Sequence, residues 1–439
     1  MAYDWREACK LLEAKLEDIG VDFVGVKQRL KAQKIETPSW GYADSGTRFG
    51  VFKQPGAAVT ISEKLADAAQ VHELTGVAPT VAVHVLWDFV FPAGKVEEGD
   101  FEAVKQEAES LGLKIGAINP NCFQDQLYKY GSIASPVQEA RERAVAHMLD
   151  SIEIARRVDS HRLSLWFADG TNFPGQGDFN QRKHRAIECL QQVYRAMPDS
   201  MTMLIEYKPF EPGFYHTDIA DWGMAYCICQ QCGERAKVLT DIGHHLPGTN
   251  LPHVVAFLID EGRFGGFHFN DHKYADDDLT AASIDPYQLF LIYHEIAKAE
   301  EDGTARLGQG LRRRRYVPLA KAEGSGGQAG EIAFMVDQSH TIKPKIEEMI
   351  QTVARIQTAY AKALMIPRQA LQEAQLECDV VRAENLVQEA FNTDVEPLLR
   401  QVRTEMGLAP DPLAAYRASG YQQKIEQERG IREGAGLGA

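Results

Sequence analysis

The stretch MTMLIEYKPFEPGFYHTDIADWGMAYCICQQCGERAKVLTDI, residues 201–242, holds one complete strand–helix–strand unit. Residues 201–208 form a short, largely apolar run that reads as a strand, and 238–242 form a second. Between them, 218–232 has the length of a helix, and Pro and Gly residues mark the turn before it. Two strands joined through a crossover helix lie parallel, so this unit is the building block of an α/β fold.

The same unit repeats outward in both directions. Strand-like runs occupy 37–42, 80–87, 114–119, 162–168, 201–208, 238–242, 265–270 and 332–337, eight in all. Helix-length segments such as 62–74, 136–157, 218–232 and 285–300 separate them. Several open on start signals: Ser62 before Glu63, Pro136 after Ser135, Pro286 after Asp285. Eight strand–helix repeats predict a closed (β/α)8 TIM barrel. The alternative, a doubly wound open sheet, would carry a glycine-rich dinucleotide fingerprint after its first strand, and no such motif is present. The reading divides the chain into a helical segment over 1–35, a catalytic barrel over 36–362 and a helical C-terminal extension over 363–439. The extension is longer than a barrel cap needs and is expected in contacts between subunits. Residues 303–330, with LRRRR at 311–315 and a glycine-rich run near Gly324, are expected as a mobile surface loop.

Composition narrows the function classes. Hydrophobic residues make up 44% of the chain and charged residues 25%, the balance of a globular protein with a large core. A net charge of -15 repels nucleic acid and anionic membrane, so neither is an expected partner. The first residues form a charged amphipathic pattern, and no run reaches the about 18 apolar residues a membrane span needs. Seven cysteines, an odd number without a framework spacing, predict a reducing cytoplasm. Cys229 and Cys232 have a CxxC spacing, but no second pair completes a zinc site, and core packing is expected.

Barrel chemistry sits at the carboxyl ends of the strands. There the sequence supplies His84, Trp87 and Asp88; Trp166 and Asp169; Glu206 and Lys208; Asp241 and His244; His268 with Asn270 on the same face; Asp276 and Asp278; and Asp337. Singly, each is an ordinary cap or core polar group. Together they would crowd carboxylates into one mouth at a large repulsive cost unless cations neutralise them. Oxygen and imidazole donors suit Mn, Co, Mg or Zn. Glu206, Asp241, His268 and Asp337 can enclose one ion; His244, Asp276 and Asp278 can hold a second. Lys208 adds a fixed cation suited to an oxygen that becomes negative. Trp87 and Trp166 offer flat walls to the CH face of a sugar, with His84 and the carboxylates facing its hydroxyls.

The motifs HVLWD at His84, LWFADGTNFPGQ at Leu165, IEYKPFEP at Ile205, LTDIGHH at Leu239, GGFHFNDHKYADDDL at Gly265 and VDQSH at Val336 resemble those of the L-rhamnose isomerases. The likeness is to the bacterial branch with broad substrate range, and it runs from about Pro38 to Tyr416. The resemblance implies a homotetramer with two divalent ions per subunit, Mn foremost, acting on small aldoses and ketoses. It implies that Glu206, Asp241, His268 and Asp337 hold a structural ion, and His244, Asp276 and Asp278 a catalytic one. Glu206 and His244 would also meet the substrate, Lys208 would polarise its oxygen, His84 would assist ring opening, and Trp87 and Trp166 would line the pocket. Phe49 would close the pocket of an adjacent subunit. The segment 303–330 departs from the resemblance, which implies a shorter connection there.

Two chemistries fit an aldose–ketose interconversion: a hydride shift between C1 and C2, or proton transfer through an enediol with Asp337 or a metal-bound hydroxide as base. Outside that class, phosphodiester cleavage on a similar barrel is disfavoured by the acidic surface and the paired tryptophans. A non-catalytic sugar or metal binder is disfavoured by the intact ligand set.

Overall fold

The computed structural model describes residues 4–47, 50–90, 99–211, 215–305, 332–339 and 342–432. Eight parallel strands close into a barrel. In chain order they are β1 Glu36–Pro38, β2 Thr80–His84, β3 Lys114–Asn119, β4 Arg162–Leu165, β5 Thr202–Glu206, β6 Ala236–Asp241, β7 Phe264–Phe269 and β8 Ala333–Val336. β1 pairs with both β2 and β8, Glu36 facing Thr80 on one side and Met335 on the other. Every expected strand run overlaps one of these strands, and the TIM-barrel expectation holds.

Three strands stop at least three residues short of the ends of their sequence runs. β1 ends at Pro38, which has no N–H to continue the ladder. A 3-10 turn, Ser39–Tyr42, follows, tied back by Tyr42 Oη donating to Thr37 Oγ1 at 2.9 Å. β2 ends at His84 because Asp88, one helical turn later, accepts its backbone N–H at 2.8 Å. β4 ends at Leu165.

Several helices begin where a side chain can accept the free N–H groups of the first turn. Thr60 and Glu63 form a reciprocal capping box at Ile61–Thr75, and Asp221 caps Trp222–Cys232. Residues 303–305 complete the helix Pro286–Ala305; the rest of the expected surface loop, like Phe49, lies outside the described residues. After the barrel, the helices Glu396–Glu405 and Pro412–Ser419 pack against Trp5–Asp18 and Ile61–Thr75 of the same chain. Arg429 ends this return with a bidentate pair to buried Asp67, at 2.7 and 2.9 Å.

Two apolar layers result. The larger fills the space between strands and helices and takes in Cys229, so the CxxC segment packs into the core as expected. The smaller lies inside the barrel: Ala82, Ala117, Leu204, Leu239, Ala333 and Met335, covered by Trp40. Gly266 belongs to the same level, where a Cβ would stand 2.7 Å from Ala333 O and 3.1 Å from Leu239. Among the described residues no helix is long and apolar enough to cross a membrane.

Candidate active site

The inner layer dictates what stands above it. Side chains alternate across a strand, so the residue two positions beyond an inward one also points inward, one level nearer the mouth. Ala82 is followed in this way by His84, Leu204 by Glu206, Leu239 by Asp241, Gly266 by His268 and Met335 by Asp337. The sheet register keeps these together: Leu239 faces Glu206, and Asp241 faces His268.

Glu206, Asp241, His268 and Asp337 present donor atoms all within 4.8 Å of one another. His268 Nδ1 stands 3.0 Å from Glu206 Oε1 and 3.6 Å from both Asp241 Oδ2 and Asp337 Oδ2. A second close group contains Asp241, His244 and Asp276, so Asp241 belongs to both. His244 lies between the groups, Nδ1 3.2 Å from Glu206 Oε1 and Nε2 3.2 Å from Asp276 Oδ1. Asp278 is not in this close group; it stands against Asp276 with its backbone in the left-handed region, φ 48°.

The electrostatics show a cluster that is short of positive charge. Burial raises Asp241 to about 7, with Glu206 adding to the effect and His244 opposing it. Burial, Asp276 and Asp337 push Asp278 well above the usual carboxylate range. Burial acts against the charged imidazoles, yet Glu206 holds His268 up at about 9 and Asp241 and Asp276 hold His244 well above its ordinary value. Without cations the carboxylates therefore recruit protons and imidazolium charge. His244 Nδ1 and Asp276 Oδ1 are buried and lack a hydrogen-bond partner despite their close neighbours. Converging oxygen and imidazole donors with unpartnered atoms between them fit divalent cations, and no thiolate is present to favour a softer ion.

Lys208, two residues beyond Glu206, is buried beside this cluster. Its Nζ lies 2.7 Å from Asp276 Oδ2 and 3.0 Å from Glu211 Oε2, and 5.2 Å from the Trp166 ring centroid. Burial works against its charge, but the two carboxylates raise it above the ordinary lysine range. Trp166 ends an aromatic wall. His84 packs edge-on to Trp40 at 4.7 Å and against Trp87 at 4.0 Å; Phe123 bridges from Trp87 to Trp166, 5.1 Å from the latter. Burial, then the charge of Lys64, pulls His84 down to about 3, so its imidazole is neutral at working pH.

Two strand-end carboxylates turn away from the mouth. Asp88 pairs with buried Lys64 at 2.6 Å, and Asp169 accepts Ser132 N, Ser132 Oγ and Ala134 N, each at 2.7 Å. Both are satisfied structural groups. Four residues carry the site without having been assigned a role from sequence. Trp40 donates Nε1 to Asp337 Oδ1 at 2.9 Å, Asn270 Nδ2 contacts both oxygens of Asp241 at 3.0 Å, Glu211 flanks Lys208, and Phe123 completes the wall. For Asn270 and Glu211 the signal was available, as a same-face i+2 neighbour of His268 and an i+3 neighbour of Lys208.

A family model described as xylose isomerase-like TIM barrel matches residues 66–318. The chain belongs to this family. The matched part of the xylose isomerase-like barrel takes in β2 to β7 and every cluster residue except Asp337. A protein of Rhizobium meliloti named probable sugar isomerase is 39% identical over 95% of this chain and 91% of its own length. A xylose isomerase of Escherichia fergusonii is 27% identical over 62% of this chain and 65% of its own. Among solved structures, an L-ribulose 3-epimerase superposes with a TM-score of 0.49 at 11% identity, covering 75% of this chain and 95% of that one.

Proposed function

We propose that this chain is a two-metal aldose–ketose isomerase that interconverts L-rhamnose and L-rhamnulose and turns over D-allose/D-psicose and related sugars more slowly. The observation that carries the reading is the shared Asp241: two ligand groups meet at one carboxylate, beside a buried lysine and under an aromatic wall. The relatives named as sugar isomerases support the reaction class, and the motif resemblance supports the particular sugar.

Glu206, Asp241, His268 and Asp337 would hold one ion, and His244, Asp276 and Asp278, with Asp241 between them, the other; Mn is foremost, with Co, Mg or Zn as alternatives. When bound, such a pair supplies Lewis acidity to adjacent sugar oxygens, about several kcal/mol of barrier each. The chain's own residues do the rest. Lys208, itself buried, sets a permanent charge beside the oxygen that becomes negative, where such a charge acts more strongly than in water. Neutral His84 can accept the ring-opening hydroxyl proton's hydrogen bond. Trp87, Trp166 and Phe123 cover the CH face and keep water from the C1–C2 bond, which favours a hydride shift over an enediol that exchanges with solvent. Turnover in heavy water tests that step: substantial deuterium at the transferred position assigns the proton route instead.

The division at 1–35, 36–362 and 363–439 and a homotetrameric assembly belong to the same proposal. Exposed Leu376, Val380 and Val381 on the C-terminal helices support a subunit contact there, and Phe49 would close a neighbouring pocket. Seven free cysteines agree with a reducing cytoplasm.

The deciding experiment compares kcat/KM for L-rhamnose, L-mannose, L-lyxose and D-allose. One methyl or hydroxyl in an apolar pocket is worth only ~1–3 kcal/mol, so a graded series led by L-rhamnose is expected. No turnover of L-rhamnose alongside turnover of another aldose would leave the two-metal isomerase and remove the named substrate.

A further inference from the structure

Lys208 stands just beyond the barrel's strands. β5 ends at Glu206, so the sheet does not hold the backbone that carries this lysine. The segment 217–219 holds it instead. Lys208 N donates to Ile219 O at 3.0 Å, and Thr217 Oγ1 donates to Lys208 O. The same stretch is seated on the loop after β4. Thr171 N donates to His216 O at 2.9 Å, Asp218 N to Asp169 O at 2.9 Å, and Tyr215 Oη to Ala168 O at 2.6 Å. The approach is so close that a Cβ on Gly170 would stand 2.2 Å from His216 O.

One buried side chain joins these pieces. Arg182 lies in the first turn of the helix Phe179–Ala196 and is buried. Its fork closes on Asp218, Nε 2.9 and 3.0 Å from the two carboxylate oxygens and Nη2 2.8 Å from Oδ2. Nη1 donates to Tyr130 O at 3.3 Å and Nη2 to Gly170 O at 3.5 Å. The guanidinium thus meets the loops after β3, β4 and β5 at once. Such a buried cation is costly unless its donors are matched, and a planar fork can match several acceptors in fixed geometry where an ammonium cannot. Asp218 sits between Thr217 and Ile219, the two residues that grip the Lys208 backbone, so what fixes Asp218 also fixes Lys208.

We propose that Arg182 is a positioning residue: by holding Asp218 it sets the segment 217–219, and through it the Lys208 ammonium over the Trp166 ring. The inference rests on the role given to Lys208 above and names what keeps that charge in place.

Amine acetylation in buffer containing Mn2+, read peptide by peptide by mass spectrometry, tests the placement without reference to any sugar. Lys64, equally buried and paired with Asp88, is the internal control. In wild type both lysines should react slowly. Arg182→Lys, which keeps the charge and loses the fork, and the near-isosteric Asp218→Asn should each raise labelling of Lys208 about tenfold while Lys64 stays unchanged. With L-rhamnose, kcat of Arg182→Lys should fall about tenfold or more, the usual effect of misplacing a reacting group, with KM changing by less than about threefold. In a Lys208→Met background the same substitution should cost less than about twofold, because the group it positions is gone. Far-UV circular dichroism checks folding, and either folded variant carries the labelling test. Unchanged labelling of Lys208, a parallel rise at Lys64, or a kcat loss that persists without Lys208 overturns the inference. Wild type that turns over no aldose overturns the proposed function, while labelling still decides whether Arg182 sets Lys208.

Discussion

Replacing Lys208 by methionine removes one buried cation and leaves a straight side chain of similar length over Trp166. A unit charge about 4 Å from an oxygen that becomes negative contributes about 4 kcal/mol at the effective dielectric of such sites. Asp276 and Glu211, at 2.7 and 3.0 Å, already draw on that charge. The net loss is therefore set nearer the lower end of what a single donor to a developing charge supplies, about 2.7 kcal/mol or ~10²-fold in kcat. Because the interaction grows as the reaction proceeds, kcat should fall with KM changing by less than about threefold. Burial opposes the lowering of Asp276, but His244 and Lys208 hold it well below the usual carboxylate range. Loss of Lys208 leaves Asp276 less compensated, and the second ion should bind no more weakly than before. Steady-state kinetics with L-rhamnose over a range of Mn2+ concentration reads both quantities. Full rescue of Lys208→Met by excess Mn2+, or an effect confined to KM, would refute the assigned role.

Further expectations follow from the same geometry. Asp278→Asn should raise the Mn2+ concentration for half-maximal activity about tenfold or more, with kcat largely regained at saturation; an unchanged metal dependence removes Asp278 from the second site. In the ion-free protein Asp241 sits at about 7, above its unfolded value, so it keeps its proton as pH rises until about 7 and an entering ion must displace it. Mn2+ affinity measured calorimetrically should thus tighten from pH 5.5 to 7.5 with proton release at the acid end, and a flat profile contradicts this. Arg429→Ala strands Asp67, whose pair is closed at 2.7 and 2.9 Å, and should cost about 3 kcal/mol in denaturant unfolding at pH 8. Burial raises Asp67 to about 6 even with its partner in place, so the cost should shrink at pH 5.5, where the acid is neutral. An equal loss at both pH values argues against a stranded charge.

The barrel was legible because its strand–helix unit repeats and because inward residues recur with period two. That periodicity carried Glu206, Lys208, Asp241, His268 and Asp337 to the mouth without any knowledge of the fold. It failed where the chain leaves strand geometry. Trp40 lies in the 3-10 turn after β1, so alternation could not say that its indole reaches Asp337, some 297 positions away. Asp88 and Asp169 stand at strand ends like the cluster residues, but other partners, the nearby His84 amide and the Ser132–Ala134 segment 35 or more positions away, turn them aside. Strand position alone does not contain that information. Asp278 illustrates a third limit, since its left-handed backbone decides where the carboxylate goes.

The return of the chain onto its own beginning has a consequence for synthesis. Asp67 waits for Arg429, 362 positions later, and β1 waits for β8 before the ring of strands can close. At ~5–20 residues per second, the interval between the emergence of Asp67 and of its partner is about 20–70 s. Until β8 emerges the nascent barrel has two open edges, and until Arg429 emerges Asp67 lacks this partner. Locking of the helix Tyr421–Arg429 onto the barrel is therefore a late event, and a chain truncated before residue 429 should depend on chaperones more than one that carries it.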